Sequence, residues 1–190
     1  MDVLAHTLWT NALFHLKYHN QRRLRYLAAF FGVLPDFLSF VPAFIFLLLS
    51  GFKVRPETFL DTSANWTFNF AEMSYNFTHS IVIFAGIFLL VTLVGNWYVY
   101  AKSPSTYKFW FFWPMLGWLL HILIDIPSHR DIYETPFLFP ISDYKFGHGV
   151  SWAHPVFMAI NYSSLIVVYL LLTIYQRRKY LNDKIFKKGS

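Results

Sequence analysis

The 190-residue chain is 56% hydrophobic and 22% aromatic but only 14% charged, whereas soluble domains carry roughly a quarter charged residues, so an ordinary soluble globular protein is excluded. It contains no cysteine, which excludes disulfides, thiolate metal sites and a cysteine nucleophile and leaves imidazole and carboxylate groups to hold any metal. The net charge of +6 is clustered beside apolar runs, a pattern that marks membrane topology and argues against a nucleic-acid partner.

The first element in chain order is "DVLAHTLWTNALFHLKYHNQRRLR". Its apolar stretch is short for a membrane span, so it is expected to form a buried half-helix or an interfacial helix, and whether it crosses is left open. It lacks the basic start of a cleavable signal peptide, and its histidines interrupt the apolar region. A hydrocarbon core about 30 Å thick needs about 20 apolar helical residues. Four runs meet that need: Tyr26 to Ser50, Thr78 to Tyr100, Phe109 to Pro127 and Pro155 to Tyr175. The expected fold is all-α, a polytopic membrane bundle of four long transmembrane helices plus the short N-terminal helix. With no Gly/Ser-rich or Pro-rich linker, residues 1–190 should form a single membrane-embedded domain.

Lys17, Arg22, Arg23 and Arg25 precede the first run, Lys102 and Lys108 separate the second from the third, and six further Lys or Arg follow the fourth. These segments are expected on the cytoplasmic side, together with the C-terminus. The two remaining connections, 51–77 and 128–154, mix few basic residues with several acidic ones and should lie outside. Both are long and aromatic, suited to packing onto helix ends or acting as a lid. No fixed-period repeat points to a solenoid or a repeat-built transporter.

Polar residues interrupt the apolar runs. In "GWLLHILIDIPSHRD", His121 and Asp125 stand four residues apart, so one helical face carries both, and Ser128 and His129 extend the stripe. "GVLPDFLSFVP" places Asp36 within the first span, where Pro35 and Pro42 loosen the helix. "NFTHS" opens the second span with His79, and His6 lies on the N-terminal helix with Asp2 four residues earlier, placed to orient its ring. An ionisable group at membrane depth is costly, which makes each a functional candidate; singly, each could equally be a packing or interfacial residue. Together, His6, Asp36, His79, His121 and Asp125 come from segments that must pack side by side, and a shared divalent metal would account for all five. Nitrogen and oxygen ligands without sulfur suit zinc first, with manganese or iron(II) also compatible, and five ligands could hold two ions. His15 and His19 fall on the opposite side of their helix from His6, next to the basic cluster, while His148 and His154 belong to the outer loop.

The order of His6, "PD" at Pro35 and Asp36, "THS" at Thr78 to Ser80, "LLHILID" with His121 and Asp125, and "TPFLFP" at Thr135 to Pro140 resembles a family of small bacterial and archaeal inner-membrane proteins. These are described as membrane-bound metal-dependent hydrolases and include a member under SOS control. A second acidic residue after "PD" and a basic residue ahead of "THS", both common in that family, are absent here; His129 and Arg130 could restore some of that function. The His-x-x-x-Asp pair is also similar to one in soluble zinc-dependent phospholipase C and related nucleases.

The resemblance implies an integral protein of the prokaryotic inner membrane that hydrolyses a lipid or lipid-linked ester or phosphodiester. In a metal-water mechanism His129, Asp131 or an unused carboxylate could serve as general base and Arg130 could meet a phosphate. Two other classes fit the same residues: a protein that transports or handles metal ions, and a non-enzymatic scaffold whose polar groups only fix helix packing. The sequence leaves oligomeric state open.

Overall fold

The computed structural model describes residues 1–49, 51, 66–130 and 134–188. Among them the chain forms six α-helices and no strand: α1 Val3–Lys17, α2 Arg22–Leu49, α3 Trp66–Thr78, α4 Ile81–Lys102, α5 Leu116–Ser128 and α6 Pro155–Lys188. Three of these contain segments long and apolar enough to cross a membrane: Arg22–Leu49, Ile81–Lys102 and Pro155–Lys179. Only 6% of the α4 window is buried within the chain, so most of its apolar surface needs lipid or another protein to cover it.

The expected span over 109–127 takes a different form. Helix begins only at Leu116 and runs for 13 residues, with a 3-10 turn at Trp113–Met115 before it and an irregular stretch from Tyr107 to Phe112. Asn96 on α4 explains the irregular part. Its side-chain amide donates to the Trp110 carbonyl at 2.8 Å, and its side-chain oxygen accepts from the Trp110 N–H at 2.8 Å. One side chain thus satisfies both backbone groups that a helix would otherwise have paired. Tyr107 donates to the same oxygen at 2.7 Å, and the Trp110 indole lies where a side chain on Gly95 would stand.

α1 packs on α2, α5 and α6, and α2 also touches α3 and α5. Small residues allow these approaches. A Cβ on Gly32 would run into Thr10 of α1, and one on Gly117 would run into the Ala28 carbonyl of α2. α6 pins α1 through three contacts: Tyr162 donates to Asp2 at 2.8 Å, Trp9 to Asn161 at 2.8 Å, and Tyr169 to the Leu8 carbonyl at 3.0 Å. α1 therefore packs one face, with Ala5, His6, Thr10, Ala12 and Phe14 buried, and leaves Val3, Leu4, Leu13 and Leu16 exposed. Asp2 caps it by accepting from Ala5 N–H at 3.0 Å, so the expected partnership of Asp2 with His6 gives way to capping.

The segment after α5 closes one end of the bundle. Val150 N–H donates to the Pro127 carbonyl and Trp152 N–H to the Ser128 carbonyl, each at 2.9 Å, supplying partners for the last carbonyls of α5. Gly149 is required there, since a Cβ would strike the carbonyls of Pro127 and His129. Ile81 N–H donates to the Phe137 carbonyl at 2.9 Å, and Ser80, the N-cap of α4, donates to the Phe139 carbonyl. Of the proposed lids, 134–154 thus packs over helix ends; within 51–77 the described part is α3, and residues 52–65 lie outside the described residues.

Candidate metal centre

Asp36, on α2, is one turn beyond Gly32, and His121, on α5, is one turn beyond Gly117. The glycines that let α2 and α5 meet therefore also bring these two ligands face to face. His79 occupies the turn between α3 and α4, held because Trp118 of α5 donates its indole N–H to the Thr78 carbonyl at 2.6 Å. Asp125 follows His121 by one turn. Ligand atoms of Asp36, His79, His121 and Asp125 all lie within 4.8 Å of one another. His79, His121 and Asp125 are fully buried and Asp36 is 6% exposed.

The separations match a metal shell. His121 Nε2 lies 3.0 Å from Asp125 Oδ2, 3.7 Å from Asp36 Oδ1 and 3.0 Å from His79 Nε2. His79 Nε2 lies 3.5 Å from both Asp36 Oδ1 and Asp125 Oδ2. Nitrogen and oxygen ligands about 2.1 Å from a tetrahedral ion stand about 3.4 Å apart, in the middle of this range. The charges match as well: two carboxylates and two neutral imidazoles balance one divalent cation.

Proton placement points the same way. His121 Nδ1 donates to the Gly32 carbonyl at 2.7 Å, and His79 Nδ1 lies 3.2 Å from the Tyr75 carbonyl and 3.0 Å from Thr78 Oγ1. Carbonyls only accept, so both Nδ1 atoms carry a proton, and a ring that is neutral presents its Nε2 lone pair to the cluster. The two Nε2 atoms stand 3.0 Å apart, close enough to share a proton or a cation. Asp125 Oδ2, although close to both rings, has no hydrogen-bond partner among the described residues.

The fifth expected ligand, His6, also reaches the cluster. Its ring stacks on His121 with centroids 3.8 Å apart, and its Nε2 lies 2.9 Å from Asp125 Oδ1. His129 caps α5, with Nδ1 3.3 Å from Asp125 Oδ1 and 3.2 Å from the Asp125 carbonyl, so the structure places it beside a ligand. The Met1 amino group donates to Asp125 Oδ1 and, at 3.2 Å, to Ser128 Oγ. Arg130 is exposed just beyond, and Asp131 lies outside the described residues. His15 contacts Gln176 and His19 contacts Lys179, and His148 and His154 are exposed. Sequence reasoning missed the supporting groups, namely the Gly32 and Tyr75 carbonyls, Thr78 Oγ1 and the Met1 amine. Backbone carbonyls leave no mark in a sequence, but glycines one turn ahead of Asp36 and His121 were a signal that two helices meet at those ligands.

Comparison of the chain with family models, curated proteins and solved structures returns no match. The functional reading therefore rests on this geometry and on the motifs.

Proposed function

We propose that the chain is an integral membrane hydrolase dependent on a divalent metal, zinc first, and acting on an ester or phosphodiester of a lipid or lipid-linked substrate. The observation that carries this is the convergence of two imidazole Nε2 atoms and two carboxylates, free of sulfur, from α2, α5 and the α3–α4 turn. A bound divalent ion would supply a Lewis acid and a water of lowered pKa. The chain's own residues provide the rest. Gly32, Tyr75 and Thr78 hold the two rings with Nε2 turned inward. Asp36, the one of these four ligands with any exposure, marks the side from which water and substrate enter. His129, with Nδ1 3.3 Å from Asp125 Oδ1, would serve as general base, and Arg130, exposed just beyond it, would meet a phosphate.

Position supports a lipid substrate. At about 1.5 Å per residue Asp36 lies roughly 20 Å along α2 from Arg22, a depth at which a soluble substrate gains nothing. A prokaryotic inner-membrane location with a cytoplasmic C-terminus is the reading that the motif resemblance and the basic segments support, with α1 and α5 entering partway beside three crossing helices.

The test is elemental analysis of detergent-purified chain beside His121→Ala and Asp36→Asn, followed by hydrolysis assays on phospholipids and isoprenoid diphosphates. Metal in the wild type, its loss in both variants and metal-dependent turnover are expected. Equal metal content in all three proteins would reject the centre. Metal without turnover would favour ion handling.

A further inference from the structure

At the far end of α1 from His6, the turn into α2 and the last residues of the α6 crossing segment border a cavity of about 1250 Å³. His19, Gln21, Arg22 and Arg23 line one side, and Gln176 and Lys179 line the other. Lys179 Nζ lies 3.3 Å from His19 Nε2, so the two sides meet. No acidic side chain lines the cavity among the described residues. α2 also begins here with no acidic residue in its first turn, so the positive end of its dipole adds to the same field.

The positive charge continues inward without compensation. Arg25, three residues beyond Arg22 on the same face of α2, is only 7% exposed, and its Nε has no hydrogen-bond partner among the described residues. Its charge acts on His15 of α1 and Tyr169 of α6, neither of which is negative near neutral pH. His15 in turn contacts Gln176 of the cavity wall. A guanidinium stays charged, and a buried cation without a partner is unfavourable, so this end of the bundle favours a bound anion.

Position and size give the class of anion. Arg22 is the first residue of one candidate crossing segment and Lys179 the last of another, so in a bilayer the cavity lies level with the lipid headgroups. Sites for small organic molecules commonly measure about 300–1,000 Å³, so this cavity has room for a headgroup as well as its phosphate. A zwitterionic headgroup would bring its own ammonium against Arg and Lys.

We propose that the cavity binds the headgroup of an anionic phospholipid, with its phosphodiester between Arg22 and Arg23 of α2 and Lys179 of α6. The lipid would tie the α1–α2 turn to α6. The site uses no residue of the metal centre.

The test is native mass spectrometry of detergent-purified full-length chain titrated with dioleoyl phosphatidylglycerol, dioleoyl phosphatidylcholine or inorganic phosphate. One phosphatidylglycerol per chain is expected, bound about tenfold or more tightly than phosphatidylcholine. The double variant Arg22→Gln/Lys179→Gln should lose about tenfold in phosphatidylglycerol affinity. Lys102→Gln/Lys108→Gln removes the same charge from exposed lysines outside the cavity and should change that affinity by less than about twofold. Equal affinity for the two lipids, or equal loss in the two double variants, would overturn the site. Displacement of phosphatidylglycerol by inorganic phosphate at equal concentration would overturn its assignment to a lipid. The comparison of lipids uses the wild-type chain, so it holds even if a variant folds poorly.

Discussion

Two imidazoles whose Nε2 atoms face each other at 3.0 Å need groups around them to fix the rings. Here the fixing groups are a turn, a threonine and two carbonyls, and Trp118 locks the turn by donating to the Thr78 carbonyl. Trp118→Phe keeps most of the ring volume but leaves that buried carbonyl without its donor, a loss of about 1–3 kcal/mol. Thermal unfolding should show the lower stability, and because His79 sits one residue further on, zinc affinity should fall with it. Asp2→Ala separates capping from ligation: losing the N-cap costs about 1 kcal/mol. If Asp2 acts only through α1, the variant should melt earlier yet bind added zinc as the proposed centre of the parent chain does. The five candidate ligands were legible because each is a polar residue set in an apolar run. The role of Asp2 was not, because spacing alone cannot decide whether a carboxylate turns toward a ring or toward the free N–H groups of its own helix.

Among the elements, α2, α4 and α6 follow from apolar length, whereas α5 does not. Hydropathy registers 109–127 as one continuous run, but apolar composition does not specify backbone conformation, and a single Asn96 is enough to hold Trp110 outside a helix. Asn96→Leu should release that stretch, and proteolysis near Trp110 should accelerate. The α2–α5 contact is the more consequential one. Gly117→Val places a branched side chain against the Ala28 carbonyl. Overpacking of this kind typically costs about 1–3 kcal/mol. Because His121 is the next residue on that face, zinc affinity should fall together with melting temperature; unchanged affinity would show that the helix spacing does not set the ligand geometry.

For the whole molecule, a centre drawing on α2, α5 and the α3–α4 turn links segments distant in sequence, so an ion bound as proposed would couple occupancy to folding. A ligand at one hundred times its dissociation constant stabilises the folded state by about 2.7 kcal/mol. Zinc should therefore raise the melting temperature of the purified chain, chelation should lower it, and His121→Ala should respond to neither. One further consequence follows from the brevity of α1 and α5, 15 and 13 residues. At about 1.5 Å per residue each measures only about 20 Å, short of a hydrocarbon slab about 30 Å thick. Lipids bordering these two helices must shorten their acyl tails or let the leaflet dimple, and a dimple draws glycerol and phosphate groups down toward the ligands. The proposed hydrolysis, measured in vesicles of short-chain phosphatidylcholine, should then outpace that in long-chain vesicles, and equal rates would count against a dimpled leaflet beside the protein.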